Sequence, residues 1–372
     1  MRILVASNST SKRTDYFIKA GRSLGADTCF VTYDELSAVL PDCREAPEGC
    51  AFGWLSRHRQ NASCKGRRGR GKRAVLLDCR DTVVKLEPPV FREADFRKYN
   101  LLCEEYRSLL SRLADMDKSE SVHFLNEPAA ILCALDKVYT QRKLTGAGLK
   151  TTPLLSDALS TFDDLAAILC RQKRGGFLKP RYGSGAGGIM AVRYNHRRDE
   201  WVAYTTMSWE GGRVCNAKRI CRLTNRKEIA TLAEEVIRCG AVLEEWMAKE
   251  KLEGENYDLR VVCRGDEVDY VVVRCSDGAI TNLHLNNKAR LFEELSLAPS
   301  VREELFCRSI TAMKALGLRY AGIDVLIARN TDTPYIIEVN GQGDHIYQDM
   351  YTENKIYANQ IKTIESLFNG NR

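Results

Sequence analysis

Tyr320-Ala-Gly-Ile-Asp-Val-Leu-Ile327, followed after a polar break by Pro334-Tyr-Ile-Ile-Glu-Val-Asn-Gly341, is the stretch on which the reading of this chain turns. The two apolar runs predict two β-strands joined by a turn that contains Asn330, Asp332 and Pro334. Side chains at i and i+2 of a strand share a face. Glu338 and Asn340 therefore project together, and a hairpin can bring Asp324 beside them. Two carboxylates and an amide oxygen raised from an apolar sheet make a hard oxygen site, which Mg²⁺ takes when phosphates and water complete its octahedron. Charged groups in an apolar strand are costly to bury unless something pairs them. Taken alone, the same spacing also describes turn-flanking acids that meet only water or a lysine. What lies upstream separates the two readings.

At 372 residues the chain is long enough for two or three domains, each with its own core. Hydrophobic content of 44% and charged content of 28% match an ordinary globular protein. No apolar run approaches the ~20 residues that span a membrane, so no membrane partner is expected. Met1-Arg-Ile-Leu-Val-Ala-Ser-Asn8 is too short an apolar run for a signal peptide and reads as a first buried strand. The 14 cysteines are scattered singly, without a CxxC pair or a Cys/His cluster at zinc spacing. They read as reduced thiols of a cytoplasmic protein, and Cys263 and Cys275 as small hydrophobes in strands. The formal charge of +7 owes much to Lys65-Gly-Arg-Arg-Gly-Arg-Gly-Lys-Arg73. No aromatic residue interleaves that run, which reads as a solvated loop. Nucleic acid is therefore not the expected partner, while steering of an acidic substrate stays open.

Residues 1–125 alternate strands (Ile3–Ala6, Thr28–Thr32, Ala74–Leu77, Thr82–Lys85) with helices near Thr14–Leu24 and Asp95–Leu113. That alternation argues for an open, mainly parallel sheet. There is no GxGxxG after the first strand, so a dinucleotide fingerprint is absent. Residues 126–148 read as one helical stretch. A smaller region then runs to about residue 240, and the C-terminal part alternates strands with helices at Val301–Leu316 and Thr352–Phe368.

Gly175-Gly-Phe-Leu-Lys-Pro-Arg-Tyr-Gly-Ser-Gly-Ala-Gly-Gly-Ile189 is a strand, a lysine and a glycine loop. Glycines permit close backbone approaches. Exposed N–H groups of Gly183, Ser184, Gly185, Gly187 and Gly188 can cradle phosphate oxygens, with Lys179 as a point charge beside them. A plain hairpin tip is the other reading. Val242-Leu-Glu-Glu-Trp-Met247 has apolar flanks suited to an adenine slot, read by the backbone of Glu245 and Met247; a buried strand explains the apolar residues equally well. Asp258 and Arg260 share a face, and Arg260, fixed positive, can bind a phosphate or acyl phosphate bidentately. Arg274 ends the paired strand and can join it. Thr281-Asn-Leu-His-Leu-Asn-Asn287 delivers three amides, among them Asn282, together with His284, which reads as a general base or as a positioning residue.

The order of these features resembles the ATP-grasp superfamily, in the branch of RimK-like peptide ligases. It runs Asp136-Lys137, Lys179 with its loop, Glu244-Glu-Trp-Met247, Asp258-x-Arg260, Asn282-Leu-His284, Asp324 and Glu338-x-Asn340. Leu135–Leu149 looks like that family's first nucleotide-binding helix, and Thr281-Asn-Leu-His284 like its Ser-Asn-Leu-His segment. The resemblance implies an ATP-grasp fold, α/β overall and α+β in the C-terminal half. It also implies an N-terminal open α/β pre-ATP-grasp domain (1–125), a central subdomain with the lid loop (126–243) and a C-terminal subdomain with the Mg²⁺ site (244–372). Lys137 and Lys179 would contact ATP phosphates, Glu244, Glu245, Trp246 and Met247 would hold adenine, and Asp324, Glu338 and Asn340 would hold two Mg²⁺ ions, with Mn²⁺ as a substitute. Arg260, helped by Arg274 and Asn282, would stabilise an acyl phosphate.

Two departures stand out. Gly341-Gln-Gly-Asp-His345 replaces the family's Ser-rich turn near the acceptor, and the insert Ala248–Asn256 lengthens the hinge, with Glu253 and Glu255 as ribose candidates. The C-terminal pattern Tyr351…Tyr357-Ala-Asn-Gln-Ile361 resembles bacterial ATP-grasp proteins found near peptide-modifying enzymes. The expected activity is an ATP-dependent ligase joining a carboxylate to an amine of an amino acid or peptide, with a homodimer compatible. The alternatives are a peptide-tailoring ligase forming side-chain esters or amides, and a non-catalytic nucleotide- or nucleic-acid-binding protein.

Overall fold

A computed structural model describes residues 1–39, 82–92, 94–115, 122–285, 287–342 and 355–369. The expected strand at Ala74–Leu77, the basic run 65–73 and the segment 343–351 lie outside the described residues. The chain divides into two compact units: Met1–Val90 with Ser111–Leu125 and Tyr357–Arg372, and Phe91–Leu110 with Asn126–Ile356.

In the first unit β1 (Arg2–Ser7) lies between β2 (Asp27–Thr32) and β3 (Thr82–Leu86), and β4 (Val122–Phe124) follows β3; all pairings are parallel. Ile3, Leu4 and Val5 are buried, as expected of a parallel strand covered on both faces. Helix α1 (Lys12–Ser23) starts at a Ser11 cap, and α2 spans Tyr33–Val39. A Cβ on Gly21 would stand 2.4 Å from Thr28, so α1 can approach β2 closely only with glycine there.

Helix α3 (Phe96–Ala114) and the C-terminal helix α9 (Lys355–Asn369) cross the expected boundaries. Phe96–Leu110 of α3 group with the second unit rather than with 1–125, because Phe96, Tyr99 and Cys103 are buried in that unit's core. The C-terminal helix groups, from Tyr357 on, with the first unit rather than with 244–356, because Tyr357 packs edge-on to Phe17 at 6.3 Å and Phe368 stacks on His123 at 5.2 Å.

The second unit opens with α4 (Pro128–Leu135) and α5 (Lys137–Gly146), two helices where the apolar periodicity suggested one. Asp136 causes the break. Its carboxylate accepts from the N–H groups of Val138 and Tyr139 and caps α5, while its own backbone is extended. An antiparallel sheet follows in the order β5 (Leu154–Ser156), β10 (Ala241–Glu245), β6 (Gly176–Pro180), β7 (Met190–Asn195), β8 (Glu200–Glu210), β9 (Arg213–Leu223). Helices α6 (Phe162–Gln172) and α7 (Arg226–Arg238) bury Leu165, Leu169, Ile229, Leu232 and Val236 in the same core as the sheet's Leu178, Met190 and Val192.

The third sheet runs β14 (Lys288–Leu291), β13 (Glu267–Ser276), β12 (Glu255–Arg264), β15 (Tyr320–Ala328), β16 (Thr333–Asn340), with β11 (Lys251–Leu252) paired to β12. Helix α8 (Pro299–Ala315) buries Leu305, Ala312 and Met313, and α9 spans Lys355–Asn369. Pro334 falls inside β16, not in the turn, and pairs with Ile327. An edge strand tolerates it, because the missing N–H costs no ladder bond on an unpaired side. Asn126 closes the open end of the β15–β16 hairpin. Its buried amide donates to Tyr320 O at 2.7 Å and to Gly341 O, and its oxygen accepts from Arg319 N at 2.8 Å.

Candidate active site

β15 and β16 set Asp324 opposite Glu338 and Gly322 opposite Asn340, and β12 sets Arg260 beside Asp324. The ladder shifts between Asp324 and Val325, leaving Ile337 as the extra residue of a bulge. Bulges re-aim side chains in this way. Asp324 is ion-paired to Arg260 through Nε and to Arg274 through Nη2 at 3.2 Å. Gly322 makes room for Arg260: an added Cβ would meet its Cδ at 2.9 Å. Glu338 faces Lys137 Nζ at 3.2 Å. Among the described residues the buried Nδ2 of Asn340 has no hydrogen-bond partner.

A cavity within the second unit is walled on one side by Asp324, Glu338, Ile337 and Leu326 and on another by the glycine loop and Lys137. Lys179 donates to Glu244 Oε2 at 2.7 Å, and Thr152 Oγ1 donates to the same oxygen at 2.8 Å. Lys137 Nζ also donates to Gly183 O at 2.6 Å. Glu245 and Met247 line the cavity, but the Glu245 N–H is spent on Pro153 O at 2.8 Å and the Met247 N–H on Glu245 O at 3.0 Å. Trp246 does not line it; its ring packs against Phe177 at 5.7 Å and beneath the Arg193 guanidinium at 4.2 Å. Gly183, Ser184, Ala186 and Gly187 line the cavity; Gly185 and Gly188 are not among its lining residues. Arg274 and Asn282 line it too, and Arg260 and His284 do not.

Behind Arg274 lies a charge network of which the sequence reading saw only part. Asp258 accepts from Arg274 Nε at 2.6 Å, from Lys249 Nζ at 2.8 Å and from Thr281 Oγ1, and Lys249 also donates to Thr281 at 2.7 Å. All four residues are buried and line the cavity. Burial alone would raise the Asp258 carboxyl, but Arg274 and then Lys249 hold it well below the usual carboxylate range. Burial pushes the Lys249 ammonium below its ordinary value against the pull of Asp258. Lys249 was missed because it falls in the insert 248–256, whose register depends on the pairing of β11 with β12. Its one sequence signal is a lysine four residues past an apolar strand, which is too common to use.

Asp324, Glu338 and Asn340 present oxygen donors only, the chemistry a hard divalent ion requires. Three cations now balance the two carboxylates: Arg260 and Arg274 on Asp324, Lys137 on Glu338. Among the described residues no group of three or more His, Cys, Asp or Glu gathers to enclose a metal by itself. The donor set thus fits an ion that takes further ligands from a bound phosphate and water. Among the described residues no helix is long and apolar enough to cross a membrane.

Comparison with known proteins agrees with this architecture. Residues 225–364 match the model of the RimK-like ATP-grasp domain. The tetrahydromethanopterin:alpha-L-glutamate ligase of Methanococcus maripaludis is 37% identical over 83 residues, 22% of this chain, and the match spans 25% of that curated relative's length. The macrocyclase MdnC from Microcystis aeruginosa MRC, solved bound with the precursor peptide MdnA, aligns with 14% identity and a TM-score of 0.53 over 100% of both chains. A Chryseobacterium gregarium RiPP-associated ATP-grasp ligase, solved with ADP and a leader and core peptide, aligns with 15% identity and a TM-score of 0.52 over 100% of this chain and 98% of that one. Over residues 225–364 the chain therefore carries a RimK-like ATP-grasp domain, and its fold as a whole is that of the ATP-grasp ligases.

Proposed function

We propose that the protein is an ATP-dependent, ADP-forming ligase that activates a carboxylate as an acyl phosphate and passes it to an amine of an amino acid or peptide. The observation that carries this reading is the opposition of Asp324 and Glu338 across one ladder, with Lys137, Lys179 and the glycine loop around the same cavity. In this reading the second sheet takes the adenine between Phe177, Glu245 and Met247. Asp324, Glu338 and Asn340 would hold Mg²⁺, which supplies charge neutralisation on the triphosphate.

The substrate carboxylate oxygen attacks the γ-phosphorus, the bond to the β-phosphate oxygen breaks, and ADP leaves. The amine then attacks the acyl carbon, inorganic phosphate leaves with the bonding pair of the C–O bond, and the proton lost by the amine ends on that phosphate. Such chemistry needs positioning and charge stabilisation more than a side-chain nucleophile. Arg274 and Asn282, in the cavity wall, are suited to hold the acyl phosphate; Arg260 stands outside the cavity lining and braces Asp324. The glycine loop shields the intermediate from water.

The test is phosphate release with Mg-ATP across amino acids and short peptides, on wild type, Asp324→Ala and Glu338→Ala. Wild type is expected to turn over with at least one pair of substrates, and both variants to stay folded and form no ADP; full activity in either variant defeats the ion assignment. Lys179→Ala is expected to weaken Mg-ATP binding about tenfold, the loss of one hydrogen bond to a charged group, measured by calorimetry.

Two of the structural relatives support a peptide substrate, one solved with a precursor peptide and the other with a leader and core peptide. A peptide-tailoring ligase would leave a loss of one water, read as a mass shift, on a peptide encoded beside its gene. A free amino-acid ligase would leave that peptide unchanged. With reduced thiols expected, the cytoplasm is the proposed compartment.

A further inference from the structure

The glycine loop is not a loose tip, because helix α3 carries an aromatic bed fitted to it. The Tyr99 hydroxyl accepts from Ser184 N at 2.6 Å and donates to Ser184 O at 2.5 Å. A Cβ on Gly187 would stand 2.4 Å from the Tyr99 ring, and one on Gly188 would stand 2.6 Å from Phe96. Tyr99 is itself wedged between Phe91, at 4.6 Å, and Phe96, at 6.0 Å. Burial pushes its phenol well above the ordinary value, so it remains a donor at any working pH.

Most N–H groups of the loop are spent. Gly183 N donates to Pro180 O at 3.3 Å, Gly187 N to Ser184 O at 3.2 Å and Gly188 N to Asn216 Oδ1 at 3.0 Å. Thr206 Oγ1 holds Ala186 O at 3.0 Å. Among the described residues this leaves the N–H groups of Gly185 and Ala186 without a partner, at two successive left-handed positions (φ 62° and 56°). Consecutive unspent N–H groups in such a bend form an anion-binding concavity.

We propose that Tyr99 is a positioning residue that seats the glycine loop and so presents the unspent N–H of Ala186, a residue of the cavity wall, with that of Gly185 next to it in the bend, to an anionic oxygen of the bound nucleotide. This rests on the nucleotide reading of the cavity given above. Tyr99 does not touch the nucleotide; it acts through the Ser184 peptide. A control lies two turns along the same helix face. The Tyr106 hydroxyl accepts from Gln342 Nε2 at 2.6 Å rather than from the Ser184 peptide.

Tyr99→Phe keeps the ring that supports Gly187 and removes only the hydroxyl. Calorimetric titration with Mg-ATP is expected to show about a fivefold weaker Kd for Tyr99→Phe, the loss of one net hydrogen bond, and wild-type affinity for Tyr106→Phe. Without nucleotide, limited proteolysis between residues 181 and 189 should run several-fold faster in Tyr99→Phe than in wild type. Gly187→Ala should behave like Tyr99→Phe, and adding it to Tyr99→Ala should cost nothing further, since its Cβ then meets no ring.

Equal Kd and equal proteolysis of Tyr99→Phe and wild type overturn the seat. So does an equal loss in Tyr106→Phe, which marks α3 as merely structural. A wild type that binds no Mg-ATP but shows the proteolytic difference overturns the nucleotide reading while leaving the seat standing.

Discussion

Asp258 is a buried carboxylate between two buried cations, and such an arrangement is tolerable only when complete. Replacing it with Asn leaves Lys249 and Arg274 facing a neutral amide. Asp258→Asn is therefore expected to cost about 3 kcal/mol of stability at neutral pH. Because the folded carboxyl titrates below its unfolded counterpart, its contribution is complete above the unfolded value near 4 and is lost as pH falls below that. Thermal melts of wild type and variant should consequently be far apart at pH 7 and converge as pH drops below about 4; curves that stay parallel down to pH 3 would remove Asp258 from the network. That Asp258 shares a strand face with Arg260 could be read from i, i+2 spacing alone. Its bonds to Lys249 and Thr281 could not, because they join residues 9 and 23 positions away through turns whose shape no periodicity encodes.

At the scale of elements, Asp136 decides where the first helical stretch breaks and where Lys137 points. It caps α5 and also binds Arg181 Nη2 at 2.6 Å and accepts from the Tyr182 hydroxyl at 3.0 Å. Asp136→Ala should destabilise by about 1–2 kcal/mol, while Asp136→Ser, which can still cap, should recover most of that in a thermal melt; equal losses would mean that the ion pair, not the cap, holds the break. The hairpin β15–β16 was legible because two β-rich apolar runs around a polar turn admit few other readings. The helix break was not, since an Asp between an apolar and a mainly polar helix-forming segment leaves the helical pattern unbroken. Nor was the Ile337 bulge, which is visible only once the partner strand is known. The role of Phe96 and Tyr99 was hidden for the same reason: an amphipathic helix announces that it has a buried face, not what that face lies against.

For the whole molecule, the α/β start and the mixed C-terminal half followed from the alternation of strands and helices. The allegiance of α3 and α9 did not, because it is a matter of tertiary contact. Since Tyr357, Ile361 and Ile364 of α9 are buried in their unit, truncation before Lys355 is expected to lower hydrogen-exchange protection in β1–β3 while leaving β12, β15 and β16 protected; unchanged protection in β1–β3 would contradict the grouping. Asn126 carries a different consequence, one for protein engineering. A single carboxamide clasps the chain where it enters β15 and again just past β16, so the hairpin is sealed at the end away from its turn. The tip between Arg329 and Asp332 is then the natural place to splice in a reporter or purification tag. An equivalent graft at Arg319 would prise open the clasp and pull the two acidic strands out of step.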